Sequence, residues 1–466
     1  MRGRRRRGSC CGRRTRLFCG RRHRVISSGG IAGFQRRRRF WTWRRGSWIG
    51  RGSCWGLGGR NEAMKIALIS WESLAGPSWT DAAVVVTETA RALAARGHEL
   101  HVFTARGPMQ PAEAMMDGVH YHRCAHDPYP DPRDDVESFG RAAAYGVRSE
   151  EGRGGFGVLH GFDWPGMAVL SELHSEGRRP AVWSLFSAGP EWRPPRWMLD
   201  EAGAEVRGRY HPDEFADRVI VPSTQARDAF VGGWGVAVER VEVVHPGIDP
   251  NWPGAPVDPA SVKAGYGIDT FDPVVLYVGP LTAAGRPGLL LDAMPRLLED
   301  HPNAKVVFAG AGEMREHLED RAVVLGIETA VRLPGEPAGG ELRRLVQACD
   351  AVCLPQRSQR LLSPFLEAWA AAKPVVTTPS HAAADFVWHE VTGYVCEESP
   401  DAIAGGLLWL FSDFERCRWI GANGRRAVED AFGWPAIAGR LLDCYERVGG
   451  VTEVGETTPQ ALGRPR

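Results

Sequence analysis

Short apolar runs separated by longer amphipathic stretches begin at Lys65 and repeat through most of the chain. The runs are almost continuously apolar, which is typical of strands buried on both faces of a parallel sheet. Between the first two runs, residues 83–96 carry apolar side chains at helical spacing and end at Gly97. The predicted strands of this first series are residues 65–71, 100–104, 119–122, 157–160, 181–185, 218–222 and 241–244.

A second series follows residues 246–272, a stretch rich in proline, glycine and aspartate that we interpret as an interdomain linker. Its predicted strands are residues 274–278, 305–309, 331–333, 351–354, 374–378 and 386–389. Helices are predicted between them at residues 287–300, 313–325, 341–348 and 364–372. This alternation predicts the α/β class, with two doubly wound parallel-sheet (Rossmann-like) domains. Their ligands are expected at the carboxyl ends of the strands, in a cleft between the domains.

The overall composition hides two unlike parts. The 466 residues carry a formal net charge of +1, but residues 1–63 hold 19 arginines, no lysine and a single acidic residue, Glu62. The remainder, 64–466, holds 38 basic and 55 acidic residues, a net charge of about −17. The first part shows neither a period of 2 nor of 3.6 residues, so we expect a disordered Arg/Gly-rich tail.

Three interpretations of this tail remain open. Its guanidinium groups suit the phosphates of nucleic acid or a membrane surface. A targeting peptide would explain the scarcity of acidic residues, although no apolar segment follows the arginine clusters. The third interpretation is an overextended start, in which GC-rich DNA upstream of Met64 is read as protein. It is favoured because Met64 directly precedes the first buried strand and because the whole chain has only four lysines.

Cysteine usage and hydropathy bear on the cell compartment. The six cysteines after Met64 are scattered without a paired framework, so we expect free thiols and a cytoplasmic protein. No run approaches 18 apolar residues, which predicts that no helix spans a membrane. No nucleic-acid partner is expected for the acidic body.

Two glycine turns follow predicted strands of the second series. Gly310-Ala311-Gly312 precedes a helix, so its N–H groups could face a phosphate. Gly279-Pro280-Leu281 occupies the equivalent place one strand earlier, but proline removes one donor. Tight glycine turns also occur merely to fit the backbone, and the sequence leaves both explanations open.

Six segments between Met64 and about Tyr445 carry a family likeness: residues 96–100, 216–223, 246–249, 365–376, 386–394 and 419–425. Together they resemble the family 4 retaining glycosyltransferases of GT-B architecture, closest to the bacterial branch related to glycogen and starch synthases. The resemblance implies transfer of a sugar from a nucleotide-sugar donor to a glycan or small-molecule acceptor. It implies that the reaction needs neither a cofactor nor a metal. It also implies that the donor sugar is linked to UDP or ADP.

The resemblance also divides the chain into parts. It implies an acceptor-side domain at 64–250, a nucleotide-sugar-side domain at 251–434 and a helix at 435–450 that crosses back to the first domain. Residues 1–63 and 451–466 are expected to be tails. The oligomeric state is left open.

In the family, an arginine and a lysine after the first strand of the second domain neutralise the donor diphosphate, whose charge grows in the transition state. Here Pro280 and Gly285 stand in those places, and Arg286 follows one residue later. Glu367 matches the glutamate that contacts the nucleotide ribose, and Gln359 replaces the glutamate that faces the sugar. The expected donor-binding residues are Arg286, Glu367, Gly279, Gly310, Gly312 and Asp385.

On the acceptor side, the family's aspartate is retained as Asp163 in the stretch His160-Gly161-Phe162-Asp163-Trp164. Asp163 and Gln359 are the two expected catalytic residues. Three histidine places of the family hold Val85, Phe162 and Phe186. These exchanges leave two hypotheses. One is a glycosyltransferase with a remodelled donor site and low activity. The other is a catalytically inactive GT-B-fold binding or scaffold protein.

Overall fold

The computed structural model describes residues 41–44, 47–50, 63–75, 81–186, 210–356, 363–379 and 387–449. The chain divides into two compact units, Met1–Leu57 and Gly58–Arg466. In the first unit, strands β1 (Trp41–Arg44) and β2 (Ser47–Gly50) pair as an antiparallel hairpin that the sequence pattern did not predict. The rest of the arginine-rich segment and the expected tail at 451–466 lie outside the described residues.

Eight strands form the first sheet of the second unit. They are β3 (Lys65–Ile69), β4 (Glu99–Ala105), β5 (Glu113–Met116), β6 (Val119–Cys124), β7 (Val158–Phe162), β8 (Ala181–Ser184), β9 (Arg218–Val221) and β10 (Val241–Val243). Their order is β10-β9-β8-β7-β3-β4-β6-β5, and every pair is parallel except β5 with β6. The pattern predicted all of these strands except β5, an edge strand with no buried residue.

Helices cover both faces of this sheet. They are α1 (Asp81–Ala94), α2 (Pro132–Glu151), α3 (Asp163–His174), α4 (Pro212–Phe215) and α5 (Thr224–Trp234), with a 3-10 turn at Val238–Arg240. One face packs Phe103 of β4 against Phe139 of α2 in a core that also contains Trp183. The opposite face packs Ile66 of β3 against Leu93 of α1.

Six parallel strands form the second sheet. They are β11 (Val274–Val278), β12 (Lys305–Ala309), β13 (Val331–Gly335), β14 (Ala351–Leu354), β15 (Val375–Thr377) and β16 (Tyr394–Val395), in the order β13-β12-β11-β14-β15-β16. The helices are α6 (Pro259–Gly265), α7 (Pro287–Asp300), α8 (Arg315–Leu325), α9 (Gly339–Ala348), α10 (Ser363–Ala370), α11 (Pro400–Phe411) and α12 (Phe414–Ala427), with a 3-10 turn at Glu328–Ala330. The predicted linker therefore contains a helix, α6. Two parallel-sheet α/β domains, as the sequence predicts, make up the described body.

The last helix, α13 (Trp434–Gly449), follows a π-helical turn at Val428–Phe432 and returns to the first sheet. Its buried Ile437, Leu441 and Tyr445 belong to the same apolar core as β3 and α1. Where the chain passes from the first sheet to the second, the Ile248 N–H donates to the Phe432 carbonyl at 2.9 Å. None of the described helices is long and apolar enough to cross a membrane.

Candidate functional site

Four of the expected donor-binding residues lie where β11 and β12 end. Gly279 directly follows β11 and Arg286 ends the same loop, while Gly310 and Gly312 follow β12. Glu367 is half-buried on α10, which joins β14 to β15 in the same sheet. Gln359 and Asp385 lie outside the described residues.

The glycines after β12 allow two loops to pack backbone against backbone. A Cβ atom on Gly310 would lie 1.9 Å from the Gly279 carbonyl oxygen, and one on Gly312 would lie 2.3 Å from that of Leu281. The Gly310 N–H donates to the Gly335 carbonyl at 2.9 Å, so it is already used within the fold. For Gly310, the geometry supports the tight-turn explanation over a phosphate contact.

The loop between β11 and α7 has no room for a side chain at Gly285. A Cβ atom there would lie 2.1 Å from the Pro280 carbonyl oxygen and 2.5 Å from the Tyr277 hydroxyl. That hydroxyl is buried, and its single proton is within hydrogen-bond distance of two carbonyl oxygens, those of Pro280 (2.8 Å) and Gly285 (3.0 Å). The family's lysine therefore could not occupy position 285 unless this loop changed its conformation.

Arg286 forms an ion pair with Glu398. Its Nη1 lies 2.5 Å from Oε2 of Glu398, and the two side chains are 15% and 31% exposed. Its backbone is left-handed, with φ of 50°, at the N-cap of α7. Such a conformation is unfavourable for a residue with a Cβ and is enriched at functional sites. The backbone of Arg286 thus begins α7, and its guanidinium is held in contact with the Glu398 carboxylate.

Gln356, which the sequence analysis missed, joins two strand ends of the second sheet. Its side chain is 2% exposed and donates from Nε2 to the Val278 carbonyl at 2.8 Å. Its Oε1 is buried and has no hydrogen-bond partner among the residues that the structure describes. The sequence feature that could have identified Gln356 is a polar residue shortly after the apolar strand β14, since ligands of such sheets bind at the carboxyl ends of the strands.

Asp163, the expected catalytic residue of the first domain, follows β7 and also has a left-handed backbone, with φ of 52°. Its Oδ1 accepts the Phe186 N–H at 2.8 Å, and its carbonyl accepts Trp183 Nε1–H at 2.8 Å. Asp163 therefore fixes the chain after β8. Its expected catalytic role stays a prediction.

The three places where the family has histidine converge on one pocket. Val85, Phe162 and Phe186 all line it, together with Trp434 and Leu441 of α13. The Phe162 and Phe186 rings stack with centroids 6.3 Å apart. Sequence reasoning named each exchange separately, whereas the fold shows that together they make this pocket largely apolar.

His160 and His245 line the same pocket. The His160 Nε2 lies 2.6 Å from Ser184 Oγ, and its Nδ1 lies 2.6 Å from the Tyr445 hydroxyl. Burial lowers the pKa of His160 to about 3 and that of His245 to about 4. Both imidazoles are therefore neutral at pH 7.

Two family models match the two halves of the body. Residues 82–252 match the family described as Glycosyltransferase Family 4, and residues 261–427 match Glycosyl transferases group 1. An uncharacterized glycosyltransferase of Methanocaldococcus jannaschii is 28% identical over 400 residues, which are 82% of this chain and 98% of the relative. The D-inositol 3-phosphate glycosyltransferase of Kineococcus radiotolerans is 28% identical over 419 residues, covering 83% of this chain and 96% of that enzyme.

Solved structures share the fold at low sequence identity. Sucrose-phosphate synthase from Thermosynechococcus elongatus aligns with a TM-score of 0.64 at 20% identity, covering 84% of this chain and all of that one. Anabaena HepE in complex with UDP and glucose aligns with a TM-score of 0.62 at 19% identity, covering 82% of this chain and all of that one. The catalytic domain of Arabidopsis thaliana starch synthase IV aligns with a TM-score of 0.63 at 13% identity, over 83% and 100% of the two chains.

Proposed function

Since the chain belongs to the family 4 glycosyltransferases of GT-B architecture, related to glycogen and starch synthases, we propose that it uses a nucleotide-sugar donor and retains the anomeric configuration. The observation that carries this proposal is the position of Arg286. Its backbone forms the N-cap of α7, at the end of the loop that follows the first strand of the second sheet, and its guanidinium pairs with Glu398. A strand end followed by a helix N-terminus is where α/β folds bind phosphate groups.

The donor side then works by electrostatics. The diphosphate of a UDP- or ADP-linked sugar gains negative charge as it leaves, and a fixed guanidinium with an adjacent helix N-terminus stabilises that charge. Arg286 can donate two parallel hydrogen bonds to such a group once Glu398 shares or releases it. The HepE structures with UDP and with UDP-glucose support a nucleotide-sugar donor for this fold.

Glu367 and Gln359 complete the proposed donor site. A carboxylate at Glu367 accepts hydrogen bonds from the ribose hydroxyls, and the amide of Gln359 hydrogen-bonds the transferred sugar without adding charge. Because one cation replaces two, the transition state is stabilised less than in the family pattern. Losing one such contact typically costs about 3–4 kcal/mol, which is a rate loss of roughly a hundredfold or more. Low activity is therefore part of the proposal.

The second candidate is a catalytically inactive GT-B-fold binding or scaffold protein. The observation that favours it is the largely apolar pocket of Val85, Phe162 and Phe186, which offers no imidazole at the three family positions. His160, the nearest retained histidine, is buried and engaged by Ser184 and Tyr445. In this candidate the cleft binds a nucleotide or glycan without turnover.

A cytoplasmic location belongs to the same proposal. All six cysteines of the described body are buried and free, as expected in a reducing compartment. Burial raises the pKa of Cys349 and Cys396 to about 12, so neither is a reactive thiolate.

A thermal-shift screen of the full-length protein tests the donor proposal. The ligands are UDP, ADP and GDP, each with its glucose conjugate. A nucleotide that binds only the folded protein at a hundred times its dissociation constant stabilises it by about 2.7 kcal/mol. If a nucleotide sugar raises the melting temperature and its nucleoside diphosphate is released, sugar transfer is supported. If it raises the melting temperature without such release, the catalytically inactive binding protein is supported. If no nucleotide changes the melting temperature, the donor proposal is wrong, and the second candidate is left with glycan binding alone.

A further inference from the structure

Three potential metal ligands meet beside the neighbouring strands β4 and β6 of the first sheet. His101 lies on β4, His122 on β6 and Glu150 in the last turn of α2, and their nearest ligand atoms all lie within 4.8 Å of one another. His101 is the third residue of its strand, whereas Asp163 follows the carboxyl end of β7. His101 therefore lies nearer the amino ends of the strands than Asp163 does, level with Leu159 of β7.

A carboxylate faces the outer nitrogen of each imidazole. His101 Nε2 lies 2.9 Å from Oε1 of Glu99, and His122 Nδ1 lies 4.0 Å from Oε1 of Glu113. A proton on His101 Nε2 donated to Glu99 leaves a lone pair on Nδ1, which points to His122 Nε2 at 2.9 Å. Carboxylates placed behind histidines in this way orient the imidazoles of metal centres and increase their basicity.

The third ligand is held by two cations. Oε1 of Glu150 lies 3.0 Å from Lys65 Nζ, and its Oε2 lies 3.0 Å from Arg153 Nη1. Glu99, Glu113 and Glu150 carry three negative charges, and Lys65 and Arg153 carry two positive charges. The net charge around the two neutral imidazoles is therefore −1. A divalent cation would therefore enter a site of opposite charge, with Lys65 and Arg153 reducing that attraction.

The ligands are fixed, yet solvent reaches them. His101 is 3% exposed and its ring stacks on those of His120 and His122, with centroids 4.8 and 5.1 Å away. The side chain of His122 is 16% exposed, and those of Glu99 and Glu113 are 54% and 71% exposed. Solvent thus reaches the group at the partly exposed His122, while His101 and Glu150 are buried.

We propose that His101, His122 and Glu150 bind a divalent transition metal, and that zinc is the ion this donor set fits. Two imidazole nitrogens and one carboxylate oxygen are common zinc ligands, and water takes the fourth tetrahedral position. For binding, the proton between the two imidazoles leaves His122 Nε2, and His122 takes the tautomer with its proton on Nδ1, facing Glu113. The bound ion ties β4, β6 and α2 together. The inference does not depend on the proposed sugar transfer.

Zinc titration of the full-length, chelator-treated protein tests the site, with calorimetry for stoichiometry and thermal unfolding for stabilisation. We expect one tight zinc ion per chain and a rise in melting temperature that EDTA reverses. His122→Gln and Glu150→Gln should each weaken binding at least tenfold, about 1.4 kcal/mol. His120→Gln is the matched control, because His120 stacks on His101 but offers no ligand atom to the group.

X-ray absorption of the zinc-loaded protein gives a second readout, with two imidazole nitrogens and oxygen donors at about 2.0–2.2 Å. The proposal is wrong if the wild-type protein binds no stoichiometric zinc. It is equally wrong if His122→Gln and Glu150→Gln bind zinc as tightly as the His120→Gln control. Circular dichroism without metal shows which variants fold. If Glu150→Gln does not fold, the zinc affinity of His122→Gln and the absorption spectrum of the zinc-loaded wild type test the site.

Discussion

The hydroxyl of Tyr445 lies 2.6 Å from Nδ1 of His160, so helix α13 is hydrogen-bonded to the middle of the first sheet. The two residues are 1% and 0% exposed. Ser184 Oγ lies 2.6 Å from the other ring nitrogen. A neutral imidazole has one donor and one acceptor, so the two hydroxyls must take complementary roles. This contact fixes how α13 is seated on the first domain.

Removing the Tyr445 hydroxyl should destabilise the protein. In Tyr445→Phe the buried Nδ1 of His160 loses its partner, which costs about 1–3 kcal/mol. Urea unfolding followed by circular dichroism measures the change. Tyr145→Phe is the control, because Tyr145 is 72% exposed and its substitution should change stability by no more than about 0.5 kcal/mol. Equal stability of the two variants would contradict the role given to this hydrogen bond.

Stability should fall as the pH is lowered, and His160 should contribute to the fall. Burial lowers its folded-state pKa to about 3, whereas an unfolded histidine has a pKa of about 6.5. Between these values the unfolded chain binds one more proton than the folded chain, so the free energy of unfolding decreases as pH falls. The stabilisation is complete above pH 6.5.

His160→Gln tests this linkage. Between pH 7 and pH 5 the variant should lose about 2 kcal/mol less unfolding free energy than the wild type, although it is less stable at pH 7. His174→Gln, at an exposed position on α3, should keep the wild-type pH dependence. Parallel pH profiles for His160→Gln and the wild type would show that His160 is not the titrating group.

Position 285 should tolerate no side chain. Gly285→Ala places a Cβ atom 2.1 Å from the Pro280 carbonyl oxygen, and we expect a loss of about 1–3 kcal/mol. Gly288→Ala is the matched control, because an added Cβ there would meet no described residue within 4 Å apart from its chain neighbours and the nearby backbone of its own helix. Alanine there should stabilise α7 by about 0.5–1 kcal/mol. Thermal unfolding of both variants measures the difference, and a neutral Gly285→Ala would mean that the loop adapts.

Arg286 and Glu367 should carry nucleotide binding. Arg286→Ala and Glu367→Ala should each weaken the affinity for a nucleoside diphosphate more than tenfold, about 1.4 kcal/mol, with little change in melting temperature. Calorimetry with the nucleotide found in the thermal-shift screen measures it. Arg296→Ala is the control, because Arg296 is exposed on α7, the helix that begins after Arg286. Unchanged affinity in both variants would place the donor elsewhere.

Removing the charge of Glu398 should strengthen nucleotide binding, whereas removing that of Arg286 should weaken it. Its carboxylate competes with the diphosphate for the same guanidinium, so Glu398→Gln should tighten nucleotide binding by about fivefold, near 1 kcal/mol. The effect should vanish in the Arg286→Ala background, because no pair is left to break. Weaker binding in Glu398→Gln would mean instead that Glu398 positions Arg286 for the donor.

The fold followed from the sequence because burial on both faces leaves parallel strands almost continuously apolar. Strands β11, β12 and β14 were predicted with their observed bounds. The edge strand β5 was not, since its exposed residues carry no such pattern.

The site was less predictable because its decisive contacts join residues distant in sequence. Arg286 was identified, but its pairing with Glu398 spans 112 positions and leaves no local pattern. The same holds for Val85, Phe162 and Phe186, which come together only when α1 packs on the paired strands β7 and β8.

Proton NMR of the reaction most directly tests the claim that this chain transfers sugar with retention. Full-length protein is incubated with the α-linked nucleotide sugar that stabilises it, and the anomeric signal of the first product is followed. The account predicts slow release of nucleoside diphosphate, an α-configured product, and a rate reduced at least tenfold by Arg286→Ala. A β-configured product would contradict retention, and release at the same rate by Arg286→Ala would contradict the assigned donor site.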